Sequence, residues 1–154
     1  MIEASQHSRE SLICRLRRLG AKLAQPGRPV VSVNGDCAFG FNGMELETAA
    51  RYNLPIIFIV DNNQGIVGHV MESRMGLPDG YAERVATYIP HARYDLIAQA
   101  FGGHPEYVTR PDELRPALER AYASGKMALI NVEVDPEAIF PVAAPGRASA
   151  LMGY

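Results

Sequence analysis

The chain has 154 residues, of which 47% are hydrophobic, and its formal net charge is −2. This length suits one domain with a sizeable core and is too short for two ordinary domains. The scattered charges argue against a nucleic-acid surface, and the longest apolar run, residues 54–60, is too short to cross a membrane, so we expect a cytoplasmic protein.

The first predicted elements are a helix and a strand. Residues 8–24 carry Leu12, Leu16 and Leu19 at near-helical spacing between basic residues, which indicates an amphipathic helix that ends at a Gln-Pro-Gly turn. Residues 29–35, PVVSVNG, are β-branched and close on Asn-Gly, which is typical of a buried strand that enters a turn.

A second helix is predicted to begin at Asn42, whose side chain can cap it, and to end before Pro55. Glu47 and Arg51 are expected to form an i, i+4 ion pair on it. The next run, IIFIV at residues 56–60, is apolar at every position, as in a central parallel strand covered on both faces. Two strands joined by a helix form a βαβ unit.

The rest of the chain continues the alternation of helices and strands after a long connection. We predict a connection over 66–91, a helix over 95–101, a strand over 107–108, a helix over 111–123, a strand over 127–134 and an irregular tail over 135–154. The alternation predicts an α/β three-layer sandwich with a mainly parallel sheet and right-handed crossovers.

Polar residues follow two of the predicted strands, where open α/β sheets bind their ligands. Asp36 follows one strand, and Asn62 and Asn63 follow the other. If these strands are neighbours, the Asp36 carboxylate and the Asn63 amide oxygen converge. With the Gly65 carbonyl and two oxygens of a diphosphate they make an octahedral oxygen shell suited to Mg²⁺. The metal would separate the anionic diphosphate from the carboxylate.

Backbone groups beside Asp36 are candidates for phosphate binding. Gly35 allows close approach, and the amides of Cys37, Ala38 and Phe39 lie at the mouth of the helix predicted from Asn42 and can donate to phosphate oxygens. Taken singly, Gly-Asp turns and Asn-Asn strand ends are common without any ligand. Their occurrence together and in this order favours a site. With only Cys14 besides Cys37, neither a zinc site nor a disulfide framework is indicated, and Cys37 is interpreted as a packing residue.

Residues 35–65, GDCAFGFNGMELETAARYNLPIIFIVDNNQG, resemble the thiamine-diphosphate motif, which begins with Gly-Asp-Gly and ends with Asn-Asn. The resemblance implies that thiamine diphosphate is the cofactor and that Asp36, Asn63 and Gly65 hold Mg²⁺. Ile66, which follows the motif, is added to the cofactor-binding residues.

The longer pattern AFGF-x-GME-x-ET followed by RYNLP is similar to the 2-hydroxyacyl-CoA lyase and oxalyl-CoA decarboxylase branch of the family. This resemblance implies C–C cleavage of an acyl-CoA substrate, a 2-hydroxyacyl-CoA, to formyl-CoA and an aldehyde or ketone, with the cofactor as electron sink.

The resemblance also sets the expected domain limits. It begins at about residue 21, so we assign residues 1–20 to an atypical segment that lacks the family's glycine-rich loop, residues 21–134 to the cofactor domain and residues 135–154 to the tail. Full-length relatives have two further domains. The chain is therefore predicted to be incomplete as a catalyst, whether a split subunit or a truncated product, and to need a pyrimidine-domain partner chain or a homo-oligomer.

His69 and Glu72 begin the segment that would face the thiazolium and the substrate. A histidine can move protons near neutral pH and a glutamate can act as a base, so both are candidate catalytic residues, or else solvated loop side chains. His91 and His104 are assigned no role. Two other functions stay open: a non-catalytic assembly or regulatory remnant of this fold, and a fragment of another thiamine-diphosphate enzyme such as an acetolactate synthase.

Overall fold

A computed structural model describes residues 11–66, 80 and 86–136, with the backbone alone for residues 11–16. Helices and strands alternate along this part of the chain. In order they are α1 (Ser11–Ala24), β1 (Val30–Gly35), α2 (Asp36–Asn42), α3 (Glu45–Arg51), β2 (Ile56–Asn62), α4 (Asp95–Ala100), β3 (His104–Val108), α5 (Pro111–Ala123) and β4 (Ala128–Glu133).

The strands form one parallel sheet in the order β1-β2-β4-β3. This confirms the predicted α/β fold with a parallel sheet. β1 and β2 are direct neighbours, and their register pairs Gly35 with Asp61. The residues that follow the two strands therefore emerge at the same edge of the sheet.

Helices cover both faces of the sheet, which gives three layers. On one face Phe58 and Leu129 pack in a cluster with Leu46 of α3, Leu19 of α1 and Ala98 of α4. On the other face a cluster forms around α5, with Ile57, Ala128, Ile130, Ala117 and Ala121. Successive residues of a strand point to opposite faces, so a strand covered on both sides is apolar throughout. This explains the unbroken apolar run in β2.

The first helix crosses the boundary that we placed between residues 20 and 21. α1 is continuous from Ser11 to Ala24, and its Leu19 is only 6% exposed in the core. Lys22 is also buried, and its ammonium donates to the carbonyls of Pro26 at 2.9 Å and Arg28 at 2.8 Å. The last turns of α1 thus pack against the sheet and fix the turn that leads into β1.

A helix is present between Asn42 and Pro55, as predicted, but its predicted start at Asn42 is wrong. α2 begins at Asp36, directly after β1, and Asn42 is its last residue. A second helix, α3, begins at Glu45 with Met44 in the N-cap position. The short segment between β1 and Asn42 contains Gly40 and shows no periodic apolar pattern, so its helical turn leaves no signal in the sequence. The predicted Glu47–Arg51 pair forms, with a 3.0 Å hydrogen bond.

The later elements lie close to their predicted positions. α5 has the predicted bounds, α4 and β4 differ by one residue at one or both ends, and β3 begins three residues earlier than expected. Within the described residues, none of the helices has the length and apolar character needed to cross a membrane.

Candidate functional site

Asp36 lies at the carboxyl edge of the sheet, in the first turn of α2, and is 2% exposed. One of its carboxylate oxygens accepts a hydrogen bond from the Cys37 amide at 2.6 Å, and the other accepts one from the Gly65 amide at 2.9 Å. The second bond joins the two ends of the predicted motif. The structure therefore brings Asp36 and the loop after β2 into direct contact, as expected from neighbouring parallel strands.

The electrostatics of this edge disfavour an ionised carboxylate. Burial raises the pKa of Asp36, the backbone donors Cys37, Gly65 and Gln64 lower it, and the nearby Asp61 raises it further. Burial also raises the pKa of Asp61. A carboxylate whose charge is poorly solvated gains from a bound cation, because the cation replaces the lost solvation.

In the loop after β2, the position of Gly65 has no room for a side chain. A Cβ atom added to Gly65 would lie 2.3 Å from the carbonyl oxygen of Ala86 and 3.2 Å from the Cα of Thr87. Gly65 forms an isolated antiparallel bridge with Thr87. The close approach of these two segments sets the path of the loop that contains Asn63, which is half-buried.

The predicted phosphate-binding residues divide into two groups. Gly35 is the N-cap of α2, and a Cβ added there would meet no described atom within 4 Å. Cys37 and Ala38 follow in the first helical turn, although the Cys37 amide already donates to Asp36. The prediction for Phe39 concerns its backbone amide, which lies in α2, while its side chain is part of the core at 2% exposure with its ring 5.3 Å from that of Tyr94. Phe39 thus anchors α2 to the sheet.

Sequence reasoning missed two tyrosines next to the candidate site. A hydrogen bond with the Cys37 side chain is the main cause that raises the pKa of Tyr88. Burial, followed by the charge of Asp36, raises the pKa of Tyr94. Tyr88 belongs to a segment predicted only as a long connection, so no local pattern indicated that it approaches Cys37.

The donors that the structure assembles are oxygen atoms and backbone amides. Within the described residues, no group of three or more His, Cys, Asp or Glu side chains is placed to hold a metal ion. A shell built from one carboxylate, an amide oxygen, a carbonyl and ligand oxygens requires no such group. The two predicted catalytic residues, His69 and Glu72, lie outside the described residues. Ile66 is within them and is 37% exposed.

A parallel α/β sheet with a buried carboxylate and a glycine loop at its carboxyl edge is typical of domains that bind phosphorylated cofactors. The family model described as "Thiamine pyrophosphate enzyme, C-terminal TPP binding domain" matches residues 18–132. The chain belongs to this family.

Relatives with different activities are similar to the chain. It is 47% identical over 125 residues to an acetolactate synthase large subunit of Mycobacterium tuberculosis. The matched region covers 80% of this chain and 22% of that protein. It is 42% identical to a 2-hydroxyacyl-CoA lyase of Oryza sativa, over 78% of this chain and 21% of the relative. It is 43% identical to an oxalyl-CoA decarboxylase of Escherichia coli K12, again over 78% and 21%.

Solved structures share the fold at lower sequence identity. The 4-hydroxybenzoylformate decarboxylase of Rhodococcus jostii superposes with a TM-score of 0.65 at 23% identity, over 77% of this chain and 22% of that one. The benzoylformate decarboxylase of Polynucleobacter necessarius superposes with a TM-score of 0.67 at 22% identity, over 82% of this chain and 23% of that one. The chain thus spans about a fifth of the length of the proteins it matches.

Proposed function

We propose that the chain binds thiamine diphosphate through a Mg²⁺ ion held by Asp36, Asn63 and the Gly65 carbonyl. The observation that carries this proposal is the 2.9 Å hydrogen bond from the Gly65 amide to the Asp36 carboxylate, which joins the two ends of the motif. Asp36 supplies the negative charge, and the buried setting that raises its pKa is relieved by a cation. All three donors are oxygens, the ligands that Mg²⁺ prefers.

The diphosphate is proposed to lie over the start of α2. At Gly35 the space that a side chain would fill is open among the described residues, which leaves room for a phosphate group. The Ala38 amide lies in the first turn of α2, and we expect it to donate a hydrogen bond to a phosphate oxygen, as predicted from the sequence. When bound, the thiazolium of the cofactor supplies the electron sink for C–C bond cleavage or formation. The chain's own residues bind and orient it.

For the reaction, we infer a 2-hydroxyacyl-CoA lyase, a C–C lyase that forms formyl-CoA and an aldehyde or ketone. The support is the pattern AFGF-x-GME-x-ET with RYNLP, together with the 42% identity to a rice protein of that name. A second candidate is acetolactate synthase, which the 47% identity to a mycobacterial relative of that name favours. His69 and Glu72 are the proposed catalytic residues in either case.

The activity is proposed to require a partner, either a pyrimidine-domain chain or a second copy within a homo-oligomer. Near the end of α2, Phe41 is 61% exposed, and Met44, in the connection between α2 and α3, is 68% exposed. Large apolar side chains that are exposed to solvent and group into a patch are typical of surfaces that a partner covers, and these two residues are three positions apart in the chain. This face is where we expect the partner to dock.

The proposed reaction is tested by reconstitution. The chain is mixed with a candidate partner chain that carries the other domains of the full-length relatives. Mg²⁺ and thiamine diphosphate are added, and the mixture is offered a 2-hydroxyacyl-CoA or pyruvate. We expect formyl-CoA from the first substrate, and no product when the chain carries Asp36→Ala. Acetolactate from pyruvate alone would instead establish the second candidate. Cofactor binding without either product would contradict both assignments of substrate, and the absence of binding would favour a non-catalytic remnant.

A further inference from the structure

Residues 86–95, which we call the strap, run alongside the loop proposed to hold the metal. The Ile66 amide donates to the Ala86 carbonyl at 2.8 Å, and the Tyr88 amide donates to the Gln64 carbonyl at 2.8 Å. These two hydrogen bonds flank Gly65, whose Cα has no room for a side chain against Ala86. The path of the loop at residues 64–66 is therefore set by the strap as much as by β2.

The other end of the strap is held by two buried asparagines. The Asn131 side-chain amide donates to the Ala92 carbonyl at 2.7 Å, and the Asn62 side-chain amide donates to the same carbonyl at 3.2 Å. Both asparagines are 0% exposed. The Asn62 side-chain oxygen also accepts from the Gln64 amide at 3.3 Å, so Asn62 contacts the loop directly. Asn131, on β4, has no hydrogen bond to the loop among the described residues, and its side chain contacts the strap through the Ala92 carbonyl.

Asn131 is an unusual residue for its position. It lies in β4 next to Ile130 and two residues from Leu129, both fully buried and apolar, as expected of a central strand. Its side-chain oxygen is buried without a hydrogen-bond partner among the described residues. A buried polar atom without a partner costs free energy. The Asn131 side-chain amide makes a hydrogen bond to the Ala92 carbonyl, which an apolar side chain of similar size cannot make.

We propose that Asn131 is a positioning residue for the metal loop: it fixes the Ala92 carbonyl, and thereby holds the strap against residues 64–66. The part of this proposal that concerns metal binding rests on the proposed function. The strap has further anchors at the same edge, since His91 hydrogen-bonds with Glu133 and the Arg93 guanidinium lies 4.4 Å from the centre of the Tyr107 ring. Loss of the Asn131 bond should therefore loosen the strap without detaching it.

The test is amide hydrogen exchange of Asn131→Leu, with Asn131→Val as a second variant if leucine does not fit. We expect the Ile66 and Tyr88 amides, which bridge strap and loop, to exchange at least about 10-fold faster than in the wild type. Amides in the middle of β2, such as that of Phe58, should be unchanged. Ile130→Val is the matched control, because it alters a buried side chain on the opposite face of β4 without touching the strap.

Metal affinity provides the second readout. In calorimetric titrations with thiamine diphosphate present, the Mg²⁺ dissociation constant should rise roughly 10-fold in Asn131→Leu, within the range seen when supporting residues around a metal are removed. Unchanged exchange at Ile66 and Tyr88 would overturn the positioning role, as would equal acceleration in Ile130→Val. Changed exchange with unchanged Mg²⁺ affinity would overturn its link to the metal. If the wild type and Asp36→Ala bind Mg²⁺ alike, the proposed function fails, and the exchange result still decides whether Asn131 holds the strap.

Discussion

Replacing Asp36 with alanine is expected to weaken the binding of Mg²⁺ and thiamine diphosphate by more than about 100-fold, since loss of residues that merely support a metal ligand already costs roughly 10–100-fold. Asp36 is the only acidic side chain among the three proposed ligands, so nothing else in the set balances the charge of the metal. Calorimetric titration of the wild type and the variant measures the effect. Removal of the carboxylate also takes the acceptor from the Cys37 and Gly65 amides.

Asp61→Ala is the matched control for this experiment. Asp61 is a half-buried carboxylate at the same sheet edge, and burial raises its pKa as well, but it is not among the proposed ligands. We expect Asp61→Ala to change the affinity by no more than a few-fold. Equal losses in the two variants would mean that the edge contributes only general negative charge, and retained binding in Asp36→Ala would contradict the proposed metal site.

The raised pKa of Asp36 gives this site a defined pH dependence. Mg²⁺ binds the ionised carboxylate, so the affinity should fall as the pH is lowered through the folded-state pKa, which lies above the ordinary 3.8. Without metal, the stability of the fold depends on pH in the opposite direction. Protonated Asp36 stabilises the fold at low pH, and this contribution is lost as the pH rises through the folded-state pKa. The metal-free wild type should therefore lose stability relative to Asp36→Ala as the pH rises.

Gly65→Ala is expected to have the second largest effect. The new Cβ would lie 2.3 Å from the Ala86 carbonyl oxygen, which is a backbone atom and cannot rotate away. The loop and the strap must separate, with a strain of about 1–3 kcal/mol for a backbone forced from its preferred path. Because Asn63 and the Gly65 carbonyl belong to this loop, cofactor affinity should fall on the order of 100-fold while the sheet stays folded. Calorimetry and circular dichroism together measure the two properties.

Gly20→Ala provides the control for the glycine substitution. Gly20 lies in α1, and a Cβ added there would meet no described atom within 4 Å. Alanine should stabilise this helix by roughly 0.5–1 kcal/mol and leave cofactor binding unchanged. Gly65→Ala with wild-type affinity would show that the loop adapts and that its observed path is not required for binding.

The approach of Asp36 to Gly65 could be predicted because it follows from general rules of parallel sheets. Two consecutive parallel strands joined by a helical segment are most often neighbours in the sheet. If they are neighbours, as the structure shows here, their carboxyl ends lie together. The start of α2 could not be predicted, because its seven residues contain Gly40 and Asn42 and lack an apolar period. The phosphate-binding prediction for Phe39 concerned its backbone amide alone, and the packing of its ring in the core was not predicted.

The strap was missed because its contacts join residues that are far apart in the sequence. Asn131 lies 39 positions from Ala92, and the hydrogen bond from its side-chain amide to that carbonyl cannot be inferred from either segment alone. The predicted strand at residues 127–134 was recognised by its apolar residues, and this pattern assigns no role to the asparagine within it. Buried polar contacts of this kind depend on the assembled fold, which local patterns do not describe.

The most direct test of the metal site is a crystal structure of the chain with its partner, thiamine diphosphate and Mn²⁺ in place of Mg²⁺. Anomalous scattering locates Mn²⁺ without reference to the rest of the model. We predict one strong peak at the carboxyl edge of β1 and β2, about 2.0–2.2 Å from an Asp36 carboxylate oxygen, the Asn63 side-chain oxygen and the Gly65 carbonyl. A peak elsewhere, or bound cofactor without a metal between Asp36 and the diphosphate, would contradict the account.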